Sequence, residues 1–98
     1  MITERTQDYV AHLQGLVREK GASMYKTVQI EEGRKFFKII FTTDYQRSVH
    51  SFVDKNTGDV YKPASWKAPT KDARYNVVTG MGELLQRADI YGSYLYKR

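Results

Sequence analysis

The segment Ser48-Val49-His50-Ser51-Phe52-Val53-Asp54-Lys55-Asn56-Thr57-Gly58-Asp59-Val60-Tyr61-Lys62 decides the architecture. Its first half alternates, with Val49, Ser51 and Val53 opposed to His50 and Phe52, the period of a half-buried strand. Asp54-Lys55-Asn56-Thr57-Gly58-Asp59 reads as a hairpin turn: Asn and Asp close it through their own backbone hydrogen bonds, and Gly58 supplies a positive φ. Val60-Tyr61-Lys62 is the returning strand, which Pro63 ends because proline has no N–H to give to a ladder. Strands joined this tightly must be antiparallel.

Working towards the N-terminus, Lys35 to Thr43 is another strand, rich in Phe and β-branched residues. Phe37, Ile39 and Phe41 share one face, and Phe36, Lys38 and Ile40 share the other. Both faces are partly apolar, which suits a central strand covered by a helix on one side and by a loop or a subunit on the other. Asp44-Tyr45-Gln46-Arg47 and Glu31-Glu32-Gly33-Arg34 are the turns on either side of it. From Ser23, Met24, Val28 and Ile30 alternate with Tyr25, Thr27 and Gln29, giving the first strand of the meander. Before it, Tyr9, Val10, Leu13, Leu16 and Val17 recur at three- and four-residue spacing, one apolar stripe of a helix. Thr3 or Thr6 can cap that helix, with Glu4 and Asp8 near its positive end, and Gly21 stops it. Towards the C-terminus, Thr79 can cap a short helix from about Met81 to Ala88, with Leu84, Leu85 and Ala88 as its core face. The tail from Tyr91 to Arg98 carries Tyr91, Tyr94 and Tyr96, either docked on the sheet or wrapped on a neighbouring subunit. The expected fold is α+β: an N-terminal helix, an antiparallel β-meander of about four strands, a short C-terminal helix and a tyrosine-rich tail.

Ninety-eight residues make one domain, spanning 1–98, with room for a modest core. A hydrophobic fraction of 41% excludes wholesale disorder. With no cysteine there is neither a disulfide framework nor a thiolate metal site, and His12 and His50 lack the close spacing of a zinc enzyme. The opening residues Met1 to Tyr9 lack the basic-then-apolar pattern of a signal peptide, and no apolar run is long enough to span a bilayer. The composition therefore predicts a soluble intracellular protein that needs no membrane and no cofactor.

The formal charge is +5, a bias towards polyanions whose meaning depends on where it sits. Over Met1 to Lys20 the charges cancel. Over Lys62-Pro63-Ala64-Ser65-Trp66-Lys67-Ala68-Pro69-Thr70-Lys71-Asp72-Ala73-Arg74-Tyr75-Asn76, four cations face one carboxylate. That segment also holds both prolines and the only tryptophan. Lysine and arginine bind phosphate by charge, arginine through a planar fork as well. Tryptophan and tyrosine offer faces on which a base can stack. The candidate ligand-binding residues are Lys62, Ser65, Trp66, Lys67, Lys71, Arg74 and Tyr75, with His50 as a further ligand contact. Pro63 and Pro69 fix φ and give the segment a set shape, as a preorganised site requires. The same residues fit two plainer roles: Trp66 plugging the open end of the core while the lysines solvate a loop, or a surface for another protein.

Other constellations are weaker. Ser48, His50, Phe52 and Asp54 would alternate to one face, but neighbours two apart on a strand are too widely spaced for a catalytic relay. Asp54 and Asp59 flank a turn, where aspartate is expected. Thr79-Gly80-Met81-Gly82-Glu83 lacks the lysine and the spacing of a P-loop and reads as a cap. No catalytic and no metal-binding residues are assigned, and the chain reads as a non-enzymatic binding protein.

From Ser48 to Asn76 the chain resembles a group of small hypothetical proteins of tailed bacteriophages, through the run Ser48 to Pro69 quoted piecewise above. The resemblance implies a phage-encoded protein acting in the host bacterial cytoplasm and brings no established activity with it. The expectation is a homo-oligomer whose basic and aromatic segment binds a phosphate-bearing ligand, nucleic acid first. The other reading is a counter-defence protein that sequesters a nucleotide immune signal or blocks a host protein.

Overall fold

The computed structural model describes residues 1–19, 27–90 and 92–96. Helix α1 (Ile2–Glu19) is followed by β1 (Thr27–Glu32), β2 (Phe36–Thr42), β3 (Arg47–Asp54), β4 (Asp59–Pro63) and β5 (Pro69–Asn76), then α2 (Met81–Arg87) and a single 3₁₀ turn (Ser93–Tyr96). The strands form one antiparallel sheet in chain order, β1-β2-β3-β4-β5. This is the expected α+β arrangement with one strand more than the sequence predicts. The segment from Lys62 to Asn76 is not a loop. It is the tip of a hairpin and its returning strand. As an edge strand, β5 buries only Tyr75 fully, so it carries no alternating apolar pattern to read. The expected stop at Gly21, the strand start at Ser23-Met24-Tyr25, and Tyr91 lie outside the described residues.

The core lies between the helices and one face of the sheet. Tyr9, Leu13 and Val17 of the α1 stripe are buried, with Val10 and Leu16 half-buried beside them. They meet Val28, Phe37, Ile39, Phe41, Val53, Val60 and Tyr75, with Val77, Leu84, Ile90 and Leu95 completing the cluster. Full burial of one such side chain is worth about 1.5–3 kcal/mol, so this face supplies most of the cohesion. Helix α1 packs on β1, α2 packs on β5, and the two helices touch. Gln14 of α1 also accepts a hydrogen bond from the Val28 N–H at 2.9 Å, occupying a donor on the outer edge of β1.

One irregularity reorganises this face. Ile39 pairs with Ser51 but Ile40 pairs with Val49, leaving His50 as the extra residue of a β-bulge. The alternation expected for Ser48, His50, Phe52 and Asp54 is thereby broken. His50 turns to the helix side, where its ring stacks on Phe41 at 4.3 Å, while Phe52 stays on the opposite face against Phe36. His50 and Ser51 then end a buried polar chain. His50 Nε2 bonds the Tyr94 hydroxyl at 2.8 Å, which bonds the Tyr9 hydroxyl at 2.6 Å, which bonds Ser51 Oγ at 2.9 Å. This chain holds the C-terminal turn against the sheet, helped by Tyr75, whose hydroxyl donates to the Tyr94 carbonyl. The tail thus docks on its own sheet: Tyr94 and Leu95 are buried and Tyr96 is exposed.

The turn chemistry is partly as expected. Gly58 has φ 83°, and Asp54 Oδ1 accepts from the N–H groups of Asn56 and Thr57. The helix starts differ. Helix α1 begins at Ile2, before Thr3, and the Thr6 hydroxyl instead donates back to the Ile2 carbonyl. Ahead of α2, the cap position is Gly80 with no side-chain cap. The incoming turn is held by Asn76, whose Oδ1 accepts from Val78 and Thr79 and whose Nδ2 donates to Thr57 O and Asp59 Oδ1.

This packing makes three predictions about stability. A Cβ at Gly58 would lie 3.1 Å from Val78, 3.2 Å from Val77 and 3.3 Å from Asn76 in a left-handed backbone. Gly58→Ala should therefore cost about 1–3 kcal/mol in urea unfolding. Gly82→Ala in α2, where nothing lies within 4 Å, should be neutral or stabilising by up to about 1 kcal/mol. Burial lowers His50 from 6.5 to about 4, so the unfolded chain takes up its proton first. The contribution of His50 to stability should fall as pH drops from 6.5 towards about 4, by up to about 3 kcal/mol. His50→Gln should remove that slope when unfolding midpoints are compared across the window.

Candidate functional site

The face of the sheet away from the helices is also apolar at its centre. Ile40 and Phe52 are 0% and 2% exposed, and Phe36 meets the rings of Phe52 and Tyr61 edge-on at 5.8 Å each. Its cover is the β4–β5 hairpin. Pro63 and Pro69 sit directly opposite each other at the neck, and the register slips between Val60 and Tyr61 and again between Tyr61 and Pro63. Neither proline can donate to the ladder, so the two face each other without a backbone hydrogen bond between them, and the slips beside them let the hairpin bend. Beyond the neck the tip is tight: Ala64 and Ser65 N–H both donate to the Ala68 carbonyl, and Ser65 Oγ accepts from the Lys67 N–H.

The bent tip brings Trp66 over β2 and β3. Lys38 Nζ lies 4.4 Å from the centre of the indole and the Arg47 guanidinium carbon 5.4 Å from it. Trp66 is 40% exposed, so it covers the open face of the sheet only in part. Beside it a groove of about 430 Å³ is lined by Arg34, Lys35, Phe36, Lys38, Phe52 and Lys67, together with Glu31, Glu32 and Gly33. The acids at its rim are engaged. Glu31 lies 3.7 Å from Lys38 and 4.0 Å from Arg47, and Glu32 lies 2.5 Å from Lys55, which also donates to the Gly33 carbonyl. Lys38 sits low in the groove with its side chain 16% exposed. The apolar floor, the part-exposed indole and the surrounding cations form a surface able to hold a planar group and a negative charge together.

The residues singled out in the sequence are divided by the fold. Ser65, Trp66 and Lys67 lie together at the hairpin tip. Lys71 is exposed on β5. The others gather at the C-terminal turn. Lys62 Nζ lies 4.5 Å over the Tyr96 ring, Arg74 donates from Nε to the Leu95 carbonyl at 2.7 Å, and Tyr75 and His50 both bond Tyr94. A second register slip, with Tyr61 opposite Ala73 and Val60 opposite Tyr75, leaves Arg74 as the extra residue and accounts for its reach to that turn. His50 and Tyr75 are buried, on the far side of the sheet from Trp66.

Sequence reading missed Lys38, Arg47, Arg34 and Lys35, which come from strands and turns far from the hairpin in the chain. One signal was there to be used. Lys38 is a lone charge within Phe36-Phe37-Lys38-Ile39-Ile40-Phe41, and its alternation with Phe36 and Ile40 already put it on the second apolar face. Among the described residues, no three of His, Asp or Glu gather closely enough to hold a metal ion, and no helix is long and apolar enough to cross a membrane.

No curated protein and no solved structure matches this chain. A protein-family model does, over residues 1–97, a span that takes in the helix-side core, the bent hairpin and the C-terminal turn alike. On that match, the chain belongs to DUF7717, a family of unknown function.

Proposed function

We propose that the open face of the sheet binds a phosphate-bearing ligand, nucleic acid before others, and that the protein acts by binding rather than by catalysis. The observation that carries this reading is the convergence of Lys38 of β2 and Arg47 of β3 on one part-exposed tryptophan, beside a groove that Lys38 and Lys67 both line. Charge would hold phosphate, and the indole would hold a base. A cation over an exposed ring contributes about 0.5–1 kcal/mol, whereas a stacked base contributes roughly 1–3 kcal/mol. A ligand can therefore displace a cation from the ring and still gain.

A phage-encoded protein working in the host cytoplasm, as the resembled segment implies, meets both polymeric nucleic acid and nucleotide signals. The groove of about 430 Å³ is within the usual range for a small ligand. That supports a second reading, sequestration of a nucleotide immune signal as a counter-defence. A homo-oligomer remains part of the proposal, and the buried Tyr94 and Leu95 direct it away from the tail.

Trp66 is the only tryptophan, so its fluorescence reports binding directly. Titration with oligonucleotides at low salt should quench it, and affinity should fall by roughly tens of fold between about 50 and 200 mM salt. Lys67→Ala and Arg47→Ala should each weaken binding several-fold, while Arg87→Ala, on α2 across the sheet, should not. Glu31→Gln should strengthen binding a few-fold, because Glu31 offers Lys38 and Arg47 a competing carboxylate. If no nucleic acid or nucleotide binds at low salt, the reading is wrong.

A further inference from the structure

The β2–β3 turn carries an aromatic residue that the fold does not use. Thr43 holds this turn: its Oγ1 accepts from the N–H groups of Tyr45 and Gln46, and its own N–H donates to the Gln46 carbonyl. Tyr45 is 95% exposed, and the burial of a large ring that would normally justify it is absent. Two residues on, Arg47 reaches the Trp66 ring. The β1–β2 turn at the opposite end of β2 supplies Arg34 and Lys35 to the groove, with Lys67 facing them from the hairpin tip. Aromatic and cationic groups thus follow one another along β2 from one turn to the other. At the rise of a strand, Phe36 to Thr42 covers about 20 Å.

We propose that this face takes a single strand of nucleic acid, roughly four nucleotides long, laid along β2 from Tyr45 and Arg47, past Trp66 and Lys38, to Lys67 and Lys35. This rests on the open face being the phosphate-binding site and adds the form of the ligand and its path. Tyr45 and Trp66 are the two stacking platforms, and the cations between and beyond them track the backbone. The recessed position of Lys38 selects against a duplex. Its side chain is 16% exposed and its ammonium lies 4.4 Å from the centre of the Trp66 ring, where an extruded phosphate or base can go and a rigid double helix cannot. Sequence readout is slight, since charge and stacking treat the bases nearly alike.

The test uses the full chain with oligo-dT and oligo-U of one to ten nucleotides, and a blunt ten-base-pair duplex, followed by Trp66 fluorescence and by anisotropy of end-labelled probes. Affinity should rise with length to about four nucleotides and then flatten, and the duplex should bind at least about tenfold more weakly than the single strands. Tyr45→Ala, at a site that carries no packing, should weaken the tetramer several-fold and leave the mononucleotide unchanged. Stronger binding of either sugar supports the proposal and identifies the strand as DNA or RNA. A mononucleotide that binds as tightly as the tetramer, or a duplex that binds as tightly as the single strands, overturns the path while sparing the phosphate-site reading. A Tyr45→Ala variant with unaltered tetramer affinity also overturns it. Absence of binding by every probe removes both.

Discussion

The constraint on which this structure depends is that its sheet has two apolar faces and its helices serve only one. Helix α1 and the short α2 together cover the face bearing Phe37, Ile39 and Phe41. The other face would leave Ile40, Phe52 and Phe36 in water, a patch that favours aggregation in a small domain. The chain meets this with its own β4–β5 hairpin, whose irregular register goes with a tip that places Trp66 over Lys38 of β2 and Arg47 of β3. A five-residue strand and a tight tip give much less cover than a helix does. What results is a shallow, cation-rimmed groove rather than a second sealed core, and the candidate site is the part of that face left uncovered.

The two faces solve the burial of polar groups in opposite ways. On the helix side, Ser51, Tyr9, Tyr94 and His50 satisfy one another in a closed chain, and burial raises the Tyr9 hydroxyl to about 12 while it lowers His50 to about 4. Every member stays neutral at ordinary pH, so the chain orients the C-terminal turn without carrying charge into the core. On the open side the polar groups are charged, and those beside Trp66, Lys38 and Arg47, are paired only loosely, through Glu31 at 3.7 and 4.0 Å. Such pairs contribute little to stability. They are correspondingly easy to exchange for another anion.

The sequence was most legible where a residue type has a single physical use. Gly58 between Asn56 and Asp59 marked its turn, and the spacing of Tyr9, Leu13 and Val17 marked a helix face. It was misleading where irregular pairing re-aims side chains. The bulge at His50 sends that ring to the helices, and the slip at Arg74 sends its guanidinium to the C-terminal turn. No local pattern announces either, because a bulge depends on the partner strand. The fifth strand was hidden for another reason: an edge strand holding Lys71 and Asp72 has the composition of a loop. Of the candidate site, Trp66 and Lys67 were legible in the chain. Their partners Lys38 and Arg47 were not, since only the bend at Pro63 and Pro69 makes them neighbours.

The hydrogen bond from Val28 to Gln14 gives the sheet margins of unequal character. At β1 an outward-facing amide is already occupied by a side chain fixed on α1, and salt does nothing to free it. At β5 the deterrent is charge, with Lys71 and Asp72 exposed on the outer strand, and charge is screened within about 8 Å at physiological ionic strength. Lys71 and Asp72 are of opposite sign, so salt should change lateral pairing at β5 little, unlike the binding expected for a polyanion held on the open face. A pair joined through β5 would present two β1 margins to the outside, each with its Val28 donor taken by Gln14.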